Sequence, residues 1–216
     1  MLPVVTTIPT ILAAITQVVA PLGTVFKNAP LLFELANKML PQVVKMAESI
    51  SAVIDVIRPG ETAEELGAKA AHAEKKTADF DCINQYVDYL RNDVNIENIE
   101  PNDGSVVKTT RQVLGCSLLV QAVSEKLDIG VSLPFITTVS NTNIGAEVVV
   151  EMLKQYSSRG LDMDDLAKYL SNELSIDLLD KHGDVLIEAY KVVHPHLNDK
   201  QIEQEMMKAT SNNSEV

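Results

Sequence analysis

No charged side chain occurs before Lys27. The opening stretch, MLPVVTTIPTILAAITQVVAPLGTVF, holds neither acid nor base, so it must lie against something: its own body, a sister chain, another protein or a bilayer. The rest of the chain contrasts with it. Residues 1–60 carry three acids and four bases, whereas the other 27 acids and 14 bases fall in residues 61–216. An apolar front is thus joined to an acidic body, and the net charge of the whole is −12.

Prolines divide that front. They stand at positions 3, 9, 21, 30, 41 and 59, six of the nine in the chain. Thr7 is placed to cap a helix with Pro9 in its first turn, where a missing N–H costs nothing, and that helix runs to about Ala20. Asn28 with Pro30 opens a second helix, which Pro41 ends or kinks, and Pro59-Gly60 stops the helical stretch beyond it.

Between residues 31 and 58 the apolar pattern becomes regular. Leu32, Met39, Met46 and Val53 recur every seven residues, and Ala36, Val43, Ile50 and Ile57 form a second row four residues later. Two such rows make the narrow seam of a helix that pairs with another helix, in a bundle of its own chain or across chains. Ile8, Ile11, Leu12, Ile15 and Val19 form a further apolar face on the first segment.

Past residue 60 the pattern is that of an ordinary helical bundle. Thr62 and Glu65 form a capping box for a helix to about Lys76. Asp79 or Asp81 starts the next, with Phe80, Ile83, Val87 and Leu90 on one face. Residues 92–104 are a polar connector. Ser105 caps a long helix to Leu127, closed by Gly130. Ser132 opens a short helix, and Gly145 opens another that Gly160 ends. Asp162 caps a helix to Glu173, Ser175 caps one to Val193, and Asn198 caps the last. No strand-length alternation and no repeat occurs. The expected fold is therefore all-α: a multi-helix bundle with a Pro-segmented apolar helical arm (1–60), an acidic helical body (61–210) and a polar tail (211–216).

Candidate chemistry is sparse. His194-Pro195-His196 offers two imidazoles with Asp199 nearby, fewer ligands than a metal site needs, and the proline accounts for it as a helix stop. His72 and His182 are lone histidines expected at the surface or at caps. Asp162-Met163-Asp164-Asp165 lacks the loop of a calcium site and suits a helix N-terminus. Cys82 and Cys116 are isolated, with no CxxC, and read as small hydrophobes in a reducing compartment. No phosphate loop, GxSxG or HExxH occurs. Neither a cofactor nor a metal is expected. The acidic balance, an aromatic content of 4% and the absence of Trp argue against nucleic acid.

These features point to a non-enzymatic assembly or adaptor protein that works through helix–helix contacts of its N-terminal region, with a protein partner or a sister chain, as a component of a larger particle or secretion machine. The residues expected to carry it are Ile8, Ile11, Leu12, Ile15, Val19, Leu32, Met39, Val43, Met46, Ile50, Val53 and Ile57. A conditional membrane-active protein using residues 4–26 is the alternative. That stretch is long enough to span a bilayer but holds Pro9, Pro21, Gly23 and several threonines. An enzyme with a site assembled from distant residues is the third reading. With no basic n-region, cleavage site or lipidation signal, the expected location is the cytoplasm of the producing cell, with export or particle incorporation left open.

Overall fold

A computed structural model describes residues 40–96 and 105–210 of the chain. The expected arm helix, residues Ile8, Ile11, Leu12, Ile15, Val19, Leu32 and Met39, residues 97–104 of the polar connector and the tail lie outside the described residues. Within them the protein is all-helical, with helices packed against one another and no strand.

Helix α1 is described over Leu40–Val53 and contains Pro41. Its inner face is a helical stripe of Val43, Val44, Ala47, Ile50 and Ser51, all buried. That stripe meets α4 (Ser105–Leu127), α5 (Leu133–Ser140) and α6 (Ala146–Arg159). Two groups of helices surround it. On one side α2 (Ala63–His72) and α3 (Ile83–Asn92) pack on α4. On the other, α8 (Ile176–Val193) packs on α6 and carries α7 (Leu166–Leu170) and α9 (Asp199–Thr210). One apolar core runs through both groups, and α1 packs extensively on each. The expected division at residue 60 therefore crosses a packed region: residues 40–57 belong to the same core as the acidic body.

The α2–α4 crossing is unusually close. A Cβ added at Gly67 would overlap the Arg111 carbonyl, and one at Gly115 would overlap the Ala63 carbonyl. The two helices run antiparallel, so Ala63 and Gly67 on one meet Gly115 and Arg111 on the other. The Glu48 carboxylate of α1 accepts the Ala63 N–H at 2.7 Å, and the Thr62 hydroxyl accepts the Glu65 N–H at 3.1 Å. Two orphan donors of the α2 N-terminus are thereby satisfied, one of them by a neighbouring helix.

Several expected ends move, each for a local reason. Helix α1 stops at Val53, before Ile57, because Asp55 turns left-handed (φ 53°) and Val56 and Ile57 both donate to the Ser51 carbonyl. That loop is tied to α3: Arg91 grips the Glu61 carboxylate at 2.6 Å and the Val56 carbonyl at 2.5 Å. Helix α3 starts at Ile83 with Cys82 at the N-cap, after a 3₁₀ turn over Thr77–Asp79, later than either Asp79 or Asp81 would place it. At the end of α4 the left-handed residue is Asp128 (φ 54°), not Gly130. The helix expected from Asp162 to Glu173 is instead a 3₁₀ turn (Met163–Asp165) and the short α7, after which Asn172 turns left-handed. The caps at Ser132, Gly160, Ser175 and Asn198 stand where the sequence places them.

Candidate functional site: a groove along the first helix

The two heptad rows part company in the folded chain. Val43 and Ile50 point inward and are each 1% exposed. Met46 and Val53 point the other way: Met46 is half-buried at the edge of the core, and Val53 is 38% exposed. Ile57, beyond the helix end, is half-buried against the core.

Met46 and Val53 share their face with Gln42, Lys45 and Ser49, a stripe at helical spacing that forms one wall of an open groove of about 840 Å³. The opposite wall is the segment from Ser140 to Glu147, between α5 and α6. That segment is held by its own hydrogen bonds. The Thr142 hydroxyl donates to the Val139 carbonyl at 2.7 Å and accepts the Ile144 N–H at 3.2 Å. The Asn143 N–H donates to the Ala209 carbonyl at 2.8 Å, which fastens the segment to the end of α9. Ile144 is buried beneath it at 2% exposure. One wall is thus a helix packed on the core and the other a loop held by its own hydrogen bonds. The groove mixes apolar surface with hydroxyl and amide groups, and Lys45 and Glu147 balance its charge. The Ser140–Glu147 wall has no apolar period of its own, so the sequence carries no sign of it.

A second feature was not expected from the sequence. His182 is 1% exposed rather than a surface or capping residue. Its Nδ1 lies 2.9 Å from the Tyr156 hydroxyl, and its ring stacks on Tyr169 with centroids 5.8 Å apart. Burial holds His182 below the ordinary imidazole range, while the Asp165 and Asp162 carboxylates pull it back upward. The folded chain therefore prefers the neutral ring. Its contribution to stability is fully present above the unfolded value of about 6.5 and is lost as the pH falls below it. Glu61 acts lower on the scale. Burial would raise its carboxyl, but the bond to Arg91 and the Arg58 N–H outweigh that and hold it below the ordinary carboxylate range. Its contribution is present above the unfolded value of about 4.3 and fades only as the pH drops below that. Thermal melts of the wild type should show a first loss of Tm beginning near about pH 6.5, and His182→Gln should flatten that step while leaving the lower one in place.

Cys82 and Cys116 are both free. Burial, with the Glu48 charge nearby, pushes the Cys116 thiol up to about 12, and a hydrogen bond to Glu125 raises Cys82. Neither is poised as a thiolate nucleophile. His194 caps the end of α8, with its ring 6.1 Å from that of His196. No set of three potential ligands is grouped among the described residues. No helix among them is long and apolar enough to cross a membrane. The run from Asp162 to Asp165 closes on itself: Asp162 accepts the Asp164 N–H, Asp164 accepts the Ser132 hydroxyl, and Asp165 pairs with Lys168 at 2.7 Å.

Compared with protein-family models, with curated proteins and with solved structures, the chain matches none.

Proposed function

We propose that this is a non-enzymatic helical assembly or adaptor protein whose docking site is the groove along α1, and that its ligand is an apolar helix of the kind the N-terminal arm supplies. The observation that carries this reading is the parting of the heptad rows. Val43 and Ile50 are consumed in the core, while Met46 and Val53 stay available in the groove. A helix laid against another through one apolar stripe is a recurring mode of recognition. The balanced charge of the groove suits an uncharged ligand, and the acidic body around it disfavours acidic ones.

The test is a titration. Residues 4–26 fused to a soluble carrier should bind the chain that starts at Leu40, and Met46→Lys/Val53→Lys should weaken that binding about tenfold or more, since each 1.4 kcal/mol is a factor of ten. Circular dichroism of the variant should match the wild type, because both side chains lie outside the core stripe. No binding by the wild-type groove would end the reading.

A further inference from the structure

We infer that the rings of Phe80 and Tyr89, beside a hollow between the end of α2 and α3, form a binding site for an alkylated ammonium group, and that Lys75 of the same chain holds the place of that ligand. The hollow shares no lining residue with the α1 groove, so the inference stands apart from the docking reading.

The chain is poor in aromatic residues, with four Phe, five Tyr and no Trp, yet three of them meet here. Phe80 and Tyr89 lie with ring centroids 5.2 Å apart and planes inclined by 35°. Tyr86, 1% exposed, supports both, at 5.5 Å from Phe80 and 6.1 Å from Tyr89. Phe80 and Tyr89 are themselves half-buried, so part of each stays open to a ligand.

A cation already uses these rings. The Lys75 ammonium lies 5.4 Å from the Tyr89 centroid and 5.9 Å from that of Phe80. Both distances fall where a ring's quadrupole attracts a cation. Glu74 and Asp93 line the same hollow as Lys75 and Tyr89, a space of about 480 Å³, and add negative charge beside the rings. The net charge of −12 on the whole chain favours cations further.

The Lys75 side chain is not what holds the rings in place. Phe80 follows the 3₁₀ turn, in which the Lys76 N–H donates to the Asp79 carboxylate at 2.8 Å and the Phe80 N–H to the Thr77 carbonyl at 3.2 Å. Tyr86 and Tyr89 stand one turn apart on α3. Lys75 is exposed, and its backbone N–H, not its ammonium, donates to the Tyr89 hydroxyl at 3.4 Å. The ammonium is therefore free to swing out when a better cation arrives.

What must displace Lys75 sets the ligand's chemistry. A primary ammonium is compact and strongly hydrated, and a lysine from outside would compete with one that is already tethered. A quaternary ammonium brings methyl groups to the ring faces, the pairing that aromatic cages use.

Proton NMR titration of the full chain with tetramethylammonium chloride tests this, set against tert-butanol, which is similar in shape and uncharged. In Lys75→Ala the tetramethylammonium signal should move upfield and saturate, with protein shifts confined to the surroundings of Phe80 and Tyr89 and an affinity about tenfold above the wild type. Lys76→Ala removes a neighbouring charge whose ammonium sits on the Ala73 carbonyl, and should change affinity less than about threefold. Added to Lys75→Ala, Phe80→Leu should abolish saturation, and Glu74→Gln/Asp93→Asn should weaken it about threefold or more while circular dichroism stays unchanged. A peptide carrying trimethyl-lysine identifies the source of the group: tighter binding than tetramethylammonium assigns it to a partner's side chain, and equal binding to a free cation. No saturable shift in Lys75→Ala, equal binding of tert-butanol, or binding that survives Phe80→Leu would overturn the inference.

Discussion

Removing residues 1–39 should leave a folded protein, and removing residues 1–60 should destroy the fold. The two truncations differ only by α1 and the loop behind it, yet that helix supplies Val43, Val44, Ala47 and Ile50 to the core. Burying a side chain such as Val or Ile is worth about 1.5–3 kcal/mol, so the branched residues alone contribute roughly 4.5–9 kcal/mol. Whole domains are stable by about 5–15 kcal/mol. Loss of α1 also uncovers the surfaces of α4, α5 and α6 that it covers, and it takes the Glu48 carboxylate away from the α2 N-terminus. Far-ultraviolet circular dichroism with urea unfolding distinguishes the cases. The chain from Leu40 should unfold in one cooperative step, and the chain from Glu61 should show no cooperative step or should aggregate. A cooperative, helical chain from Glu61 would show that the two helix groups close without α1.

A single substitution refines the same point. Ile50→Ala, in the inner row, should cost about 2–5 kcal/mol in urea midpoints converted to free energy, whereas Val53→Ala, in the outer row, should stay within about 0.5 kcal/mol. The rows are four residues apart in sequence and look alike in hydrophobicity. Only packing separates them.

The sequence was legible where a local cause acts locally. Ser132, Gly160 and Asn198 stop or start helices through their own side chains or their own φ, so their positions could be read directly. It was less legible where a remote group intervenes. The end of α1 depends on Asp55 adopting a left-handed turn, in a loop that Arg91 anchors from some 35 positions away. The burial of His182 depends on Tyr156 and Tyr169 arriving from two other helices, and the one sign of it in the sequence is its place at helical spacing from Val185, Leu186, Ala189 and Tyr190 on α8. The groove was half legible. Its α1 wall accords with the heptad spacing, but its opposite wall is a loop positioned by backbone hydrogen bonds, one of them to α9. Likewise the seam was legible as apolar without a sign of which row would face inward, because both rows offer the same chemistry and the partners on α4, α5 and α6 decide between them.

Gly67→Ala and Gly115→Ala should each be strongly destabilising, against their intrinsic helix preference. In an exposed helix interior, Gly to Ala is favourable by about 0.8–1.0 kcal/mol. At these two positions the added methyl meets backbone, the Arg111 carbonyl in one case and that of Ala63 in the other, and backbone cannot rotate away as a side chain can. Helices α2 and α4 must separate. Such overpacking typically costs about 1–3 kcal/mol and occasionally more, and the rigid backbone contact places these sites at the upper end. Separation also pulls Ala63 from the Glu48 carboxylate, which adds the loss of a charge-assisted hydrogen bond. Gly183 is the internal control. It lies within α8, and a Cβ there meets only the Tyr169 hydroxyl at an ordinary 3.6 Å. Gly183→Ala should therefore be neutral or stabilising by up to about 1 kcal/mol. Urea denaturation of the three single variants tests the contrast. If Gly67→Ala or Gly115→Ala is as stable as Gly183→Ala, the α2–α4 contact is looser than the backbone geometry requires. If both fall together while Gly183→Ala does not, the pair is the close-approach site on which the α2–α4 half of the bundle is built.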